Sequence, residues 1–505
     1  MLRRMAKNQI EIERKYDVAP DTELPDLVGE RIASVGDATV ADLSATYYDT
    51  ESLALASGRV TLRRRTGGTD AGWHLKLPGD GEARAEIHRA LGRGTRPPIA
   101  LVHAVTALTL GAPLVPVAEV DTTRTARNLL DAEGNVLAEI ADDVVAAQRL
   151  QPPGPPTTWR EIEVELVDGD HSLLKAVGRQ LKEAGIGRSP SSSKLRRVLG
   201  DAVPEPGAPT TSLKNGSAGA ALLDYLARQR DALSNADLSV RTAQASVHDV
   251  RVSARRLRTA LTVYRSLLDP DRARHLQAEL QWVGSEVSEV RDLEVIGDHV
   301  ADALEAESEQ FKTSAASRFA RQTLRDAERD ANARAQAALT SERYTALLVD
   351  LDALLVEPPW TSKASLRADK LLPLLAGRGL KRLRNRAAAV EQAEPDARPT
   401  ALHEARKAAK RLRYSLEVAK PAGGKPTKKL CDRVEALQEV LGDYLDTVTV
   451  RRWLLTLAED DAAAGAFLFG RLHAQEEIAG VAFEYDYAAA VRDTVKSKGA
   501  KALEV

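Results

Sequence analysis

The sequence predicts two regions of different fold class, a strand-rich α+β region followed by an all-α region. In the first 200 residues, short runs alternate between apolar and charged side chains with a period of two, which is typical of half-buried strands. Turn signals such as Thr66-Gly67-Gly68 and Glu133-Gly134-Asn135 separate these runs. Many short antiparallel strands indicate a barrel or sandwich with helices packed outside.

The second region is predicted from a change of period. Beyond residue 216, Ala, Leu, Arg and Glu dominate, and the apolar spacing becomes helical. Residues 201–216, "DAVPEPGAPTTSLKNG", are rich in proline and glycine, which indicates a linker. We therefore expect a domain over 8–200, a linker over 201–216 and a helical domain over 217–495.

Composition excludes several classes of function. The 505 residues carry a net charge of -2 and 4% aromatic residues, so neither a nucleic-acid-coating protein nor a base-stacking binder is expected. Cys431 is the single cysteine, which excludes an intrachain disulfide and fits a reducing compartment. No run of about 18 apolar residues indicates a membrane span, and the N-terminus lacks a signal-peptide pattern. We expect a cytoplasmic protein with no membrane partner.

Charged side chains share one face on each of several predicted strands. In "IEIERKYDV", Glu11, Glu13 and Lys15 alternate with isoleucines. "VTLRRR", "GWHLKL" and "WREIEVEL" repeat this arrangement. Either these faces are exposed to solvent around an apolar core, or the apolar faces point outward under helices and the charged faces line a tunnel. Mixed charges suit the second interpretation, because carboxylates bind divalent ions and Arg and Lys bind phosphate.

Five elements in order resemble the CYTH family, the triphosphate tunnel metalloenzymes: "ExExK" at 11–15, the arginine strand at 63–65, Lys76, "EIEVEL" and "SSSKLRR" at 191–197. The resemblance covers about residues 8–200 and implies an eight-stranded antiparallel barrel that forms a closed tunnel. It implies Mg²⁺ or Mn²⁺ as cofactor, held by Glu11, Glu13, Glu163 and Glu165 with support from Glu161 and Asp142. Asp143 follows Asp142, and the choice between these two stays open.

The same resemblance implies the residues that bind substrate. The triphosphate would be held by basic side chains on several strands: Lys15, Arg63, Arg65, Lys76, Arg84, Arg124 and Lys194. Of the residues in the tunnel, those expected to act in catalysis are Glu11, Glu13, Lys15 and Lys76. Arg127 is a looser match, because its side chain is expected on the opposite face of the strand from that of Arg124.

The helical region contains a repeat. "HDVRVSARRLR" begins at His248 and "HEARKAAKRLR" at His403, and Asp292 matches Asp446 downstream at nearly the same offset. A spacing of i, i+3, i+7 and i+10 places four basic side chains on one stripe of each helix. The stripes consist of His248, Arg251, Arg255 and Arg258, and of His403, Arg406, Lys410 and Arg413. Like charges one turn apart repel, so each stripe predicts an anionic partner; the alternative is a solvated helix face with acidic partners elsewhere.

This repeat resembles the CHAD family over about residues 217–495. The resemblance implies two related helical-bundle halves and a basic groove that binds inorganic polyphosphate, which the run "RGLKRLRNR" (378–386) would extend. Association with polyphosphate granules is a further expectation.

The combined interpretation is a metal-dependent hydrolase that cleaves inorganic triphosphate to pyrophosphate and phosphate, coupled to a polyphosphate-binding helical domain. The alternatives are a nucleotide cyclase or an organic (thiamine or nucleoside) triphosphatase on the same barrel, or a non-catalytic polyphosphate-binding scaffold. A nucleic-acid-binding role for the helices is disfavoured by the absence of a major-groove motif.

Overall fold

The computed structural model describes residues 8–29, 31–79, 83–204, 211–312, 314–460 and 465–503. The chain divides into two compact units, Met1–Gly207 and Ala208–Val505. This division lies within the segment 201–216 that the sequence predicts to be a linker, of which residues 205–210 lie outside the described part. The exact domain boundaries at 8–200 and 217–495 remain predictions from the sequence.

The N-terminal unit is built on an antiparallel sheet that closes on itself. The strands are β1 (Asn8–Val18), β2 (Ser34–Val35), β3 (Thr39–Asp49), β4 (Thr61–Thr66), β5 (Gly72–Lys76), β6 (Ala83–Arg89), β7 (Val115–Leu130), β8 (Val136–Arg149), β9 (Thr157–Leu166) and β10 (Gly187–Arg188). Eight of them form the closed order β1-β6-β5-β4-β3-β7-β8-β9, because β9 also pairs with β1. The predicted eight-stranded antiparallel barrel is confirmed, and the short β2 and β10 are additions to it.

Among the described residues of this unit, five α-helices accompany the barrel. They are α1 (Ala54–Ser57), α2 (Ile99–Ala104), α3 (Thr106–Thr109), α4 (His171–Glu183) and α5 (Lys194–Leu199). Asp170 caps α4 by accepting a hydrogen bond from the amide of Leu173. The buried face of α4 packs on apolar side chains of β1, β8 and β9, among them Tyr16, Ile140 and Ile162. The apolar face of these strands therefore points outward under a helix, and their charged face points into the barrel.

The hairpin between β7 and β8 shows how the sequence sets this register. Asp131 accepts hydrogen bonds from the amides of Glu133 and Asn135, and Gly134 takes the left-handed conformation with a φ of 83°. The turn predicted at 133–135 is therefore present. It aligns Arg124 on β7 directly opposite Asp143 on β8.

One end of the barrel interior is filled by α5. Ser193 caps this helix, and its leucines Leu195 and Leu199 pack on inward-facing apolar residues such as Tyr47 and Val145. Lys194, the first residue of α5, consequently lies at the boundary between this apolar plug and the charged part of the tunnel.

The C-terminal unit is mostly helical, as predicted. Its helices are α6 (Ala218–Arg241), α7 (His248–Val263), α8 (Pro270–Glu286), α9 (Ser288–Glu305), α10 (Glu309–Lys312), α11 (Ala315–Leu339), α12 (Glu342–Val356), α13 (Ala368–Glu391), α14 (Arg398–Asp460), α15 (Ala466–Val495) and α16 (Lys498–Ala502). Helix α14 is interrupted at Gly424, where φ is 63°. Of the helices that the structure describes, none is long and apolar enough to cross a membrane.

The two copies of the repeated motif lie on α7 and on the first part of α14. The stripe residues are held in place by apolar neighbours on the opposite helix faces, such as Leu257 in α7 and Leu412 in α14, which are almost fully buried. Asp269 caps α8, and Pro270 occupies the first turn of this helix.

Candidate functional site

Three acidic side chains form a compact cluster inside the barrel. Asp143 on β8 and Glu161 and Glu163 on β9 each offer one carboxylate oxygen, and these oxygens lie within 4.8 Å of one another. The residues are 0%, 2% and 9% exposed. Oxygen donors at this spacing match the chemistry of a hard divalent cation, so the tunnel has a donor set that fits the predicted metal.

Lys194 is surrounded by this acidic cluster. Its Nζ lies 2.8 Å from Asp143, 2.7 Å from Glu161 and 2.8 Å from Glu163. Burial alone would lower the pKa of Lys194, but the three carboxylates outweigh burial and raise it above its ordinary value. The lysine is therefore charged and acts as a counter-ion for the acids.

Two further cations contact the same acids. Arg124 on β7 donates two parallel hydrogen bonds to Asp143, from Nε at 2.8 Å and Nη2 at 2.7 Å, and also contacts Glu163. Lys15 on β1 lies 3.1 Å from Glu13 and also contacts Glu163. Burial pushes the pKa of Glu163 upward, but Lys15 and Lys194 outweigh it and hold this pKa well below its ordinary value. Glu163 is thus ionised, and three basic side chains contact the cluster.

A second cluster of charged side chains lies on neighbouring strands of the barrel wall. Lys76 on β5 contacts Glu11 on β1 and lies 3.2 Å from Glu86 on β6. Burial, together with a hydrogen bond to Glu86, raises the pKa of Glu11 to about 8. Glu86 in turn contacts His74, whose second ring nitrogen lies 3.0 Å from the carbonyl oxygen of Asp70. Acids and bases therefore alternate around the tunnel instead of forming separate walls.

The two inward arginines of β4 retain unused hydrogen-bonding capacity. The Nε atoms of Arg63 and Arg65 are buried and have no hydrogen-bond partner among the described residues. Burial and the neighbouring Arg63 and Arg124 lower the pKa of Arg65 to about 10. Buried guanidinium donors that are left unpaired are costly, and an anion in the tunnel would satisfy them.

The structure corrects the position of Asp142, which was predicted to support the metal. Asp142 lies directly opposite Ile162, whose side chain packs under α4 on the outer face. Its carboxylate accepts two hydrogen bonds from Arg160, at 2.9 and 2.7 Å. Asp143 points into the barrel instead, because successive side chains on a strand alternate between faces.

The other predicted metal ligands lie in the tunnel but outside the compact cluster. Glu11 contacts Lys76, and Glu13 contacts Lys15. Glu165 lies directly opposite Glu13 in the β1–β9 ladder, and burial raises its pKa. Among the described residues, the cluster that could hold an ion consists of Asp143, Glu161 and Glu163, so Glu161 is more central than its predicted supporting position.

The remaining basic residues divide between the two faces of the barrel. Arg84 lies opposite Glu11 and lines a cavity of 240 Å³ together with Glu13 and Lys15. Arg127 lies opposite Ile140 on the outer face, which agrees with its predicted parity. His74 and Glu86, which were not among the predicted site residues, complete the tunnel together with Asp143, the alternative to Asp142 that the sequence left open. Residues two apart on a strand share a face, so His74 lies on the same face as Lys76, and Glu86 on the same face as Arg84. This alternation could have identified both residues from the sequence.

The helical unit has its own charged site, a groove of 800 Å³ between α7, α13 and α14. Most members of both predicted stripes line it: Arg251, Arg255, Arg258, His403, Arg406 and Lys410. Arg382 and Arg386 of α13 add charge from the run 378–386, as expected. Among the described lining residues, Glu404 is the one acid. The two copies of the motif therefore face one groove.

The electrostatics of the groove reflect this crowding. Burial, followed by the nearby Arg406, Arg255 and Arg251, lowers the pKa of Lys410 to about 6. Asp292 lies 3.4 Å from Arg251, and Asp446 lies 4.0 Å from Arg406. The repeat that the sequence indicates thus extends to the pairing of each arginine with its aspartate.

Two predicted stripe residues are not among those that line the groove. Arg413 lies 2.6 Å from Glu435 and 3.3 Å from Glu417, so its charge is already neutralised by carboxylates. His248 is partly buried beside Arg291, and burial together with that arginine lowers its pKa.

Comparison with known proteins agrees with both units. A CYTH domain matches residues 9–199 and a CHAD domain matches residues 224–455. The "Uncharacterized protein Rv2226" of Mycobacterium tuberculosis is 33% identical over 491 residues, which cover 92% of this chain and 93% of that protein.

Two solved structures are also similar. PptA from Streptomyces chartreusis is 22% identical with a TM-score of 0.45, over 54% of this chain and 99% of that one. The CHAD domain from the plant Ricinus communis is 24% identical with a TM-score of 0.43, over 57% of this chain and 96% of that one. The family matches and the full-length relative together show that this chain belongs to the proteins in which a CYTH domain is followed by a CHAD domain.

Proposed function

We propose that the barrel hydrolyses inorganic triphosphate to pyrophosphate and phosphate, with Mg²⁺ or Mn²⁺ as cofactor. The observation that most supports this proposal is the composition of the tunnel. Several basic side chains from different strands point into one enclosed space beside a compact carboxylate cluster. A linear chain of phosphates needs such donors along its length, and phosphoryl transfer depends mainly on positioning and charge neutralisation.

Asp143, Glu161 and Glu163 would hold the metal, and the nearby Glu13 and Glu165 would complete an acidic environment. When bound, the ion supplies neutralisation of phosphate charge and polarises the bond that is cleaved. The fit of this donor set rests on carboxylate oxygens that are already gathered and buried.

The basic residues would bind and orient the substrate. Arg63 and Arg65 present buried Nε donors for phosphate oxygens. Lys15, Arg124 and Lys194, which now contact the acids, would exchange carboxylate for phosphate partners when a divalent ion takes their place. Enclosure by eight strands limits access of bulk water, which strengthens each of these interactions.

The helical groove would bind inorganic polyphosphate. Both stripes and α13 place arginines along one continuous cavity, and the low pKa of Lys410, due to burial and these arginines, reflects strong positive potential. A dense linear polyanion would relieve this repulsion, and its binding would weaken steeply with salt through counterion release.

The test is phosphate release by the full chain from tripolyphosphate, pyrophosphate, ATP and thiamine triphosphate, with Mg²⁺ or Mn²⁺. We expect the highest kcat/KM for tripolyphosphate. Equal or higher kcat/KM for ATP or thiamine triphosphate would favour an organic triphosphatase. Absence of turnover with every substrate and both metals would favour the non-catalytic scaffold.

A further inference from the structure

A second cavity adjoins the mouth of the tunnel beside Arg84. It has a volume of 280 Å³ and is lined on the polar side by Arg59, Arg84, Arg196, Ser57, Thr61 and Ser193. No carboxylate and no aromatic ring is found among its described lining residues. This differs from the tunnel itself, where bases alternate with acids.

The cavity shares two lining residues with a cavity at the tunnel. Arg84 and Ser192 also line the 240 Å³ cavity that contains Glu13 and Lys15. Arg84 lies directly opposite Glu11 in the β1–β6 ladder, so its position is set by the barrel wall. A ligand that leaves the tunnel past Lys15 can therefore remain in contact with Arg84 as it enters the second cavity.

The backbone at Arg59 has an unusual conformation, and its side chain is exposed. Its φ of 58° is left-handed, which is unfavourable for a residue with a Cβ. The conformation is held by hydrogen bonds from the amide of Arg59 to Ala56, at 3.1 Å, and from Val60 to Leu55, at 2.8 Å. Val60 is fully buried, so the turn is anchored directly after the arginine. Sparsely populated conformations that the surroundings enforce are concentrated at functional sites.

We propose that the tunnel holds three phosphates of a linear polyphosphate and that this cavity binds the phosphates that follow them. Arg59 would then determine how strongly the enzyme prefers chains of more than three phosphates. Guanidinium groups and hydroxyls bind phosphate oxygens, whereas the described lining has no aromatic ring on which a nucleoside base could stack. The inference rests on the proposed function and extends its substrate class to longer linear polyphosphate.

In the reaction, water forms a new P–O bond to the terminal phosphorus, and the bridging P–O bond breaks. Orthophosphate and a chain one unit shorter leave, and the two protons of water are shared between these products. No further reactant is needed.

The test compares tripolyphosphate with linear polyphosphates of four and more units, using the full chain and the variant Arg59→Ala. We expect kcat/KM of the variant to fall about tenfold for the longer chains and to stay within twofold for tripolyphosphate, because one charge-assisted contact is lost. Arg31→Ala is the matched control, since Arg31 lies outside the cavity and pairs with Asp170. It should leave both values unchanged.

Equal losses for all chain lengths, or no loss for any, would overturn the inference while leaving the triphosphatase proposal intact. If wild type hydrolyses none of these compounds, the proposed function fails, and calorimetric titration with tetrapolyphosphate then decides the inference separately. Wild type and Arg59→Ala share the same helical domain, so weaker binding by the variant alone supports the site, and equal binding overturns it.

Discussion

Replacing Lys194 with methionine would remove the cation at the centre of the acidic cluster and keep most of the side-chain volume. Three carboxylates would lose a contact of 2.7–2.8 Å with the ammonium group of a side chain that is 9% exposed. Removing one partner of such a buried ion pair costs about 3–5 kcal/mol of unfolding free energy. We expect a loss of this size for the barrel at pH 7.

The loss should depend on pH in a defined direction. The pKa of Glu163 is held low in the folded protein because Lys15 and Lys194 outweigh burial, so its ionisation stabilises the fold above the unfolded pKa. That contribution disappears as pH falls through the folded pKa. The difference between wild type and Lys194→Met should therefore be full at neutral pH and shrink in acid.

Divalent ions should affect the variant more than wild type. With Lys194 gone, no ammonium group competes for the three carboxylates, so Mn²⁺ should bind more tightly in the absence of substrate. An ion at 100 times its Kd would restore about 2.7 kcal/mol. Tripolyphosphate turnover should nevertheless be lost, because a cation that we propose to bind phosphate is missing.

Hydrogen exchange of β9 peptides in urea, with and without Mn²⁺, measures the stability of the barrel within the full chain. Lys175→Met is the matched control, because Lys175 is exposed on the outside of α4. It should change stability by less than about 0.5 kcal/mol. A Lys194→Met protein with wild-type stability and wild-type response to Mn²⁺ would refute the counter-ion role.

Three other predictions concern both sites. Asp143→Asn should abolish the Mn²⁺-dependent stabilisation, whereas Asp142→Asn should retain it; the opposite result in Mn²⁺ titrations would reverse the assignment. Calorimetry should show weaker polyphosphate binding for Arg255→Glu and for Lys410→Glu, and almost none for the double variant. For the wild type, log K should fall with log salt by about 0.7 per neutralised phosphate. A binding constant that does not change with salt would count against the groove as the binding site. Burial and nearby arginines hold the pKa of Lys410 at about 6, and a bound polyanion should raise this pKa. Polyphosphate binding should therefore take up a proton and become stronger from pH 8 to pH 6. Identical binding heats in buffers of different ionisation enthalpy would argue against proton uptake.

The fold was largely predictable because its signals are local. Alternating side chains, turn residues and the change to a helical period each depend on neighbours in sequence. The choice between Asp142 and Asp143 was not local, since it depends on how β8 pairs with β9. Arg160 shows this, because it binds Asp142 and also donates to the carbonyl of Pro20 at 2.8 Å, across the outer face.

The arrangement of charges inside the tunnel was beyond sequence reasoning for the same reason. The alternation of side chains along each strand showed which strand residues face inward. It could not show that Lys194 lies among the carboxylates, because Lys194 is on α5, which returns to the barrel from the end of the domain. In the helical unit, spacing placed Arg406 and Lys410 on one stripe of a helix, and both line the groove. It could not show that Glu435, on a later part of α14, neutralises Arg413.

We propose that the tunnel binds a chain of phosphates with no organic group attached. The most direct measurement is kcat/KM for tripolyphosphate and for ATP with the same full-length protein and the same metal ion. We predict that tripolyphosphate exceeds ATP by at least about tenfold, the loss expected when one charge-assisted phosphate contact is missing. An equal or higher value for ATP would contradict the account.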